Sequence, residues 1–217
     1  MEWKLFADVP AEELRRLLTI ARRRTFARNE VVFHRDDPAD TLHLIVSGRF
    51  VARVTTPLGE VAALAVLGPG ETFGEMALVS PAPRRSATVS ALEPSETRSV
   101  HAPDFDRLVR EHPLVHAVLT AILAERVRNT NELLVEALYV PADKRVLRRL
   151  VDLAALYGRD DGPALIPLTQ EDIAGLAGTS RETVNRVLRE EQTRGTIELA
   201  RGRTTVRDLD ELSRRAR

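Results

Sequence analysis

The spacing of apolar positions along this chain changes more than once, and each change marks a different kind of structure. Near the start, Leu14, Leu17, Leu18 and Ala21 recur at helical spacing among charged neighbours, which predicts a short helix over 11–22. From Thr25 to about Ala102 the pattern shortens into the β-like runs Glu30–His34, Thr41–Val46, Arg49–Thr55, Glu60–Leu67, Ser86–Leu92 and Glu96–His101. Between them lie Asp36–Asp37–Pro38, Ser47–Gly48, Pro57–Leu58–Gly59 and Gly68–Pro69–Gly70, residue types that favour turns. Many short strands at this spacing predict an antiparallel β-roll or barrel.

Helical spacing returns from about Asp104 to Leu138. There Leu123, Val127, Thr130, Leu134 and Ala137 follow steps of 4, 3, 4 and 3, the seam of a two-stranded coiled coil. Packing of that helix on its own domain is the other reading of the same pattern. A polar Thr130 in mid-seam costs stability, which invites a reason for it. Pro141 ends the helix, because proline has no amide hydrogen and disfavours helix at the residue before it. Another helix then runs to about Leu156. These changes predict an α+β chain in three parts: a roll over 1–110, a long helix over 111–139 and a helical C-terminal domain over 140–217.

In that last part, Thr169 with Asp172 three residues on resembles a capping box and opens a helix over Gln170–Ala177. Gly178 supplies the left-handed turn that ends it. Thr179 with Glu182 reads as a second capping box, opening a helix whose apolar face is Val184, Val187 and Leu188. Two helices joined by a tight glycine turn are a helix-turn-helix. The second exposes Arg181, Glu182, Asn185 and Arg186 near its start, side chains that read base edges in a major groove. Beyond it, Ile197–Leu199 and Thr204–Val206 flank Arg201–Gly202–Arg203, a hairpin tip suited to phosphates.

A second cluster lies in the roll: Phe73–Gly74–Glu75–Met76–Ala77–Leu78, then Arg85–Ser86–Ala87–Thr88–Val89. A phosphodiester needs a cation, a hydroxyl and backbone amides, and a ribose hydroxyl needs an acceptor. Arg85 and Ser86 suit the first need, Glu75 the second, and Gly74 lets the backbone come close. Arg84 stands beside Arg85, and the sequence leaves open which of them meets the phosphate.

Together the two clusters resemble the bacterial cAMP receptor protein/fumarate–nitrate regulator (CRP/FNR) superfamily over nearly the whole chain. The cassette at Gly74–Ala87, the long helix and the run Gly178–Thr179–Ser180–Arg181–Glu182–Thr183–Val184 come in that family's order. The resemblance implies a cytoplasmic, homodimeric transcription regulator, with double-stranded DNA and RNA polymerase as partners and cAMP as allosteric effector. It implies a ligand site of Gly74, Glu75, Met76, Ala77, Arg85 and Ser86, completed by Thr130 and Asn131 reaching the purine across the dimer seam. It also implies DNA contacts from Thr169, Gln170, Thr179, Ser180, Arg181, Glu182, Asn185, Arg186, Arg201 and Arg203, on a palindrome with half-sites similar to TGTGA. Control by cGMP, a regulator that needs no effector, and a cyclic-nucleotide-binding subunit of an enzyme are the competing readings.

Composition changes this picture little. The 32 basic and 32 acidic side chains cancel, but Arg181–Arg207 holds seven arginines against four glutamates, a local excess of three. A DNA surface needs a local basic face rather than a basic chain. Without cysteine there is no disulfide or thiolate metal site. The five histidines lie scattered, with only His112 and His116 at a four-residue step, so no metal is expected. The longest clean apolar run, Val61–Leu67, is far too short for a bilayer, and no nucleophile–base set suggests catalysis.

Overall fold

The computed structural model describes residues 3–7, 9–57, 59, 61–78, 84–158 and 162–217, the side chains of residues 77 and 78 excepted. They form two compact units, residues 1–54 with 65–130 and residues 55–64 with 131–217.

Along the chain, helix α1 (Ala11–Ile20) leads into β1 (Arg22–Phe26), β2 (Val31–Phe33), β3 (Thr41–Ser47), β4 (Phe50–Thr55), β5 (Val61–Leu67) and β6 (Thr72–Phe73). A short helix α2 (Glu75–Leu78), strands β7 (Thr88–Ala91) and β8 (Ser95–His101), and helices α3 (Ala102–Glu111) and α4 (Pro113–Tyr139) follow. Two four-stranded sheets result, ordered β1-β8-β3-β6 and β2-β7-β4-β5. Phe26, Ile45, Phe50, Leu67, Phe73, Val89 and Ala91, drawn from both sheets, form one apolar core. Strand β3 alternates as a two-faced strand must. Its Ile45 joins that core, while Leu42 and Leu44 join a second one with Leu17, Phe105, Leu108, Val115 and Leu119 of the helices.

Pattern and structure differ here in three places. The helix expected from Asp104 breaks at His112, because Pro113 starts α4 and disfavours helix before it. Helix α1 stops at Ile20, and the arginines after it are, with Thr25, the exposed residues of β1, whose only buried residue is Phe26. Strand β6 has just two residues, too few to carry a period.

The second unit holds α5 (Ala142–Tyr157), β9 (Ala164–Ile166), α6 (Gln170–Ala177), α7 (Arg181–Arg194), β10 (Ile197–Ala200), β11 (Arg203–Val206) and α8 (Leu209–Ala216). Strands β10, β11 and β9 form an antiparallel sheet in that order. Val146, Leu150, Ile166, Ile173, Val184, Leu188 and Leu212 are buried within this unit. The Thr169–Asp172 box closes in both directions, and Gly178 takes φ 58°, where a side chain would be strained. The second cap differs from expectation. Ser180, not Thr179, caps α7 by accepting from the Thr183 amide at 3.3 Å. Of the seam residues on α4, Leu123 packs against the core, whereas Val127, Thr130, Leu134 and Ala137 are exposed. Among the described residues, no helix is long and apolar enough to cross a membrane.

Candidate functional site

Gly74 stands between β6 and α2 with φ +90°. A side-chain carbon there would lie 2.6 Å from Arg85 Nη1 and 2.8 Å from the Thr41 carbonyl oxygen, so the site requires glycine. The next residue, Glu75, is fully buried. Its Oε1 pairs with Arg126 Nη1 of α4, and Arg126 Nη2 donates to the Thr72 carbonyl at 2.7 Å. Glu75 Oε2 has no hydrogen-bond partner. Burial pushes the Glu75 carboxyl above its ordinary range, opposed by Arg126 and by the backbone amides of Glu75 and Met76.

Arg85 is 4 % exposed. Its guanidinium carbon sits 4.0 Å from the centre of the Phe33 ring. Nη1 donates to the Thr41 carbonyl at 2.8 Å and to the Gly74 carbonyl at 3.4 Å, while Nη2 donates to Thr41 Oγ1 at 2.7 Å. Arg85 Nε, also buried, has no partner. Burial lowers the pKa of this guanidinium, against the carboxylates of Asp40, Asp37 and Glu75. Arg84 lies at the surface and donates to the Asp36 carbonyl at 2.8 Å. Exposed Ser86 donates to the Met76 sulfur at 3.6 Å, a weak acceptor that a better one would displace.

The fold thus gathers Gly74, Glu75, Met76, Arg85 and Ser86, with Ala77 in the same short helix and its side chain outside the described residues. Thr130 and Asn131 are exposed on α4, and the Thr130 hydroxyl donates to the Arg126 carbonyl at 2.8 Å. Sequence reasoning missed Arg126. The signal was Thr130 itself, since Arg126 lies one turn before it on the same face.

In the second unit, a groove of ≈ 550 Å³ is lined by Thr169, Gln170, Arg181, Arg201 and Arg203 among others. It joins the starts of α6 and α7 to the β10–β11 tip, so Arg181 of α7 converges with Arg201 and Arg203 of the hairpin. Glu182 is exposed, and its carboxyl is held below the ordinary range by its own backbone amide, the Ser180 hydroxyl and Arg181. Thr179 is half-buried, with its amide donating to the Ala174 carbonyl at 3.1 Å. Asn185 Oδ1 accepts from Arg189 Nε at 3.0 Å. Arg186 pairs with Asp143 at 2.5 Å and Glu190 at 3.1 Å. Elsewhere, His112 meets Glu13 and Glu111, their potential ligand atoms within 4.8 Å, and Glu13 is also paired with Arg16 at 2.8 Å.

Residues 23–112 match the cyclic nucleotide-binding domain family, and residues 144–215 match the Crp-like helix-turn-helix domain family. The chain is 37% identical over 198 residues to a CRP-like cAMP-activated global transcriptional regulator of Mycobacterium tuberculosis, covering 88% of this chain and 87% of that protein. The chain belongs to the CRP/FNR superfamily. Within it, the cyclic AMP receptor protein of Thermus thermophilus is 35% identical over 204 residues, covering 94% of this chain and 92% of that one. The fold matches the solved structure of the c-di-GMP responsive regulator CLP of Xanthomonas campestris with a TM-score of 0.78. That likeness covers 91% of this chain and 99% of the other at 22% identity. The chain is therefore a CRP-like transcription regulator, with a cyclic nucleotide-binding domain followed by a DNA-binding helix-turn-helix.

Proposed function

We propose that this CRP-like regulator acts as a homodimer, binds cAMP in its Gly74–Ser86 cassette, and thereby gains affinity for a palindromic operator with TGTGA-like half-sites. One observation carries the ligand assignment. Beside Gly74 the fold buries an acceptor without a partner, Glu75 Oε2, and a donor without a partner, Arg85 Nε. Unmet buried polar groups are costly, and a nucleotide that is both anion and ribose answers the two at once. Arg85 then meets the phosphate with Ser86 beside it, and Glu75 accepts from a ribose hydroxyl. Arg84, bound outward to Asp36, is left aside. Thr130 and Asn131 are the residues for the purine. The names of the Mycobacterium and Thermus relatives favour cAMP among cyclic nucleotides.

The exposed Val127, Leu134 and Leu138 of α4 favour a helix-paired dimer. Two reading helices then face half-sites about one duplex turn apart, ~34 Å. Arg181, Glu182 and Arg186 are the base readers, with Asn185 beside them. Arg201, Arg203, Thr169, Gln170, Thr179 and Ser180 are the supporting contacts. RNA polymerase is the expected protein partner.

Titration calorimetry with cAMP and with cGMP, each with and without a TGTGA-type duplex, tests this. A nucleotide that tightens DNA binding must itself bind more tightly when DNA is present, by the same factor. Equal affinities in both titrations would mean that the roll does not gate DNA binding, and a constitutive regulator would replace this reading.

A further inference from the structure

Arg186 of α7 reaches Asp143 in the first turn of α5, 43 residues away in the chain, with Nη2 2.5 Å from Oδ1. Both side chains are about half exposed, at 52% and 48%, so the pair faces solvent rather than filling a core. Among the described residues, the side chains of Arg181, Arg201 and Arg203 enter no ion pair. Among the described residues, Arg186 is the one proposed DNA-contacting arginine that is ion-paired with carboxylates.

Its two partners differ in kind. Glu190 lies four residues on in the same helix and travels with Arg186 wherever that helix goes. Asp143 belongs to another helix, where a carboxylate in the first turn is favoured by the helix dipole. It therefore tethers the guanidinium to a point off the reading helix. A guanidinium so held has part of its donor fork occupied, and a duplex can engage that part only by displacing the carboxylate.

We propose that Asp143 is an internal competitor for Arg186, holding back from any duplex the charge that a DNA site must win. The proposal rests on the reading of α7 as the DNA-contacting helix. An exposed pair is a weak hold, which suits a contact that must be surrendered on binding. A phosphate that engages this part of the fork has to break the pair, so Asp143 lowers binding to random sequence as well as to the operator. Asp143→Asn keeps the shape and the helix start while removing the charge. It should tighten DNA binding by about two- to fivefold, the range expected for an exposed ion pair. It should also steepen the salt dependence by about one released counterion.

The experiment is fluorescence anisotropy of the full-length protein at saturating cAMP, on a TGTGA-palindrome duplex and on a scrambled duplex, across a salt series. Asp143→Asn, Arg186→Ala and the double variant complete a cycle that isolates the pairwise effect. The expected result is a gain from Asp143→Asn on both duplexes that vanishes in the Arg186→Ala background. An equal gain in that background would overturn the proposal, since Asp143 would then act by general repulsion. Weaker binding by Asp143→Asn would overturn it too, by showing that the carboxylate orients Arg186 for DNA. A wild-type protein with no preference for the palindrome would count against the operator alone, because the scrambled duplex still reads the competition.

Discussion

Replacing Arg126 by alanine strands a carboxylate in the roll. Glu75 is fully buried, one of its oxygens has no partner, and Arg126 is the cation that meets the other. Breaking a buried ion pair from one side costs about 3–5 kcal/mol, because the remaining charge stays desolvated. Arg126 keeps 32% of its side chain exposed, which places this case near the lower end, ~3 kcal/mol at pH 7. Glu75 has an escape, which is to take up a proton. That costs ~1.4 kcal/mol for each unit by which the pH exceeds its pKa in the variant. Burial already raises this pKa above the ordinary 4.5, and loss of Arg126 removes the strongest opposing influence. Between the unfolded and folded values the native variant binds more protons than the unfolded chain, so its stability falls as pH rises. The deficit against wild type should therefore be largest near pH 7.5 and shrink towards pH 5. Urea unfolding at one fixed protein concentration measures it, since the stability of the proposed dimer would vary with concentration. Adding Glu75→Gln to Arg126→Ala should recover much of the loss at pH 7.5, because no buried charge then remains. Equal stability of Arg126→Ala and wild type at both pH values, or a deficit that grows on acidification, would refute the reasoning.

Arg85→Ala should weaken cAMP binding by roughly 2–5 kcal/mol, the cost of removing one partner of a desolvated charge pair, while surface Arg84→Ala costs clearly less. Calorimetry reads both, and two variants that bind as wild type does would remove the phosphate from this cassette. Arg181→Ala should lose about 1–3 kcal/mol at one symmetric base pair and relax specificity there. Arg203→Ala should weaken all duplexes alike and flatten the salt dependence, as competition binding with single-base operator changes would reveal. His43 lies stacked on Phe73, and burial, with Arg85 and Arg24 adding to it, lowers its pKa from 6.5 to about 3. The unfolded chain takes up that proton first, so stability is lost as pH falls below about 6.5, by up to ~1.4 kcal/mol per unit until about pH 3. His43→Phe should flatten urea stability between pH 6 and pH 4, and an unchanged slope would exonerate the histidine.

What the sequence disclosed and what it hid divide along a physical line. Features written within a few residues were legible: the Thr169–Asp172 box, the left-handed Gly178, and the β-like run Thr41–Val46 that became β3. Local rules failed where the segment was too short or too charged to show a period. Strands β6 and β9 have two and three residues, and β1 is four exposed residues ending in one buried phenylalanine. The break at His112 needed only the proline rule that placed the break at Pro141. Nearby motif residues could likewise be named for the site, since Gly74, Glu75, Arg85 and Ser86 sit in one short cluster. Their partners could not. A buried carboxylate implies a cation somewhere, and 32 lysines and arginines offer themselves, but only folding brings Arg126 across 51 residues to Glu75. Asp143 and Arg186, 43 residues apart, meet for the same reason. Short motifs therefore named groups that could touch a ligand or a base, and tertiary structure supplied the charges that hold those groups. That division makes the two ion pairs the most informative places to cut. Breaking either should change the behaviour of an intact motif whose own residues are untouched.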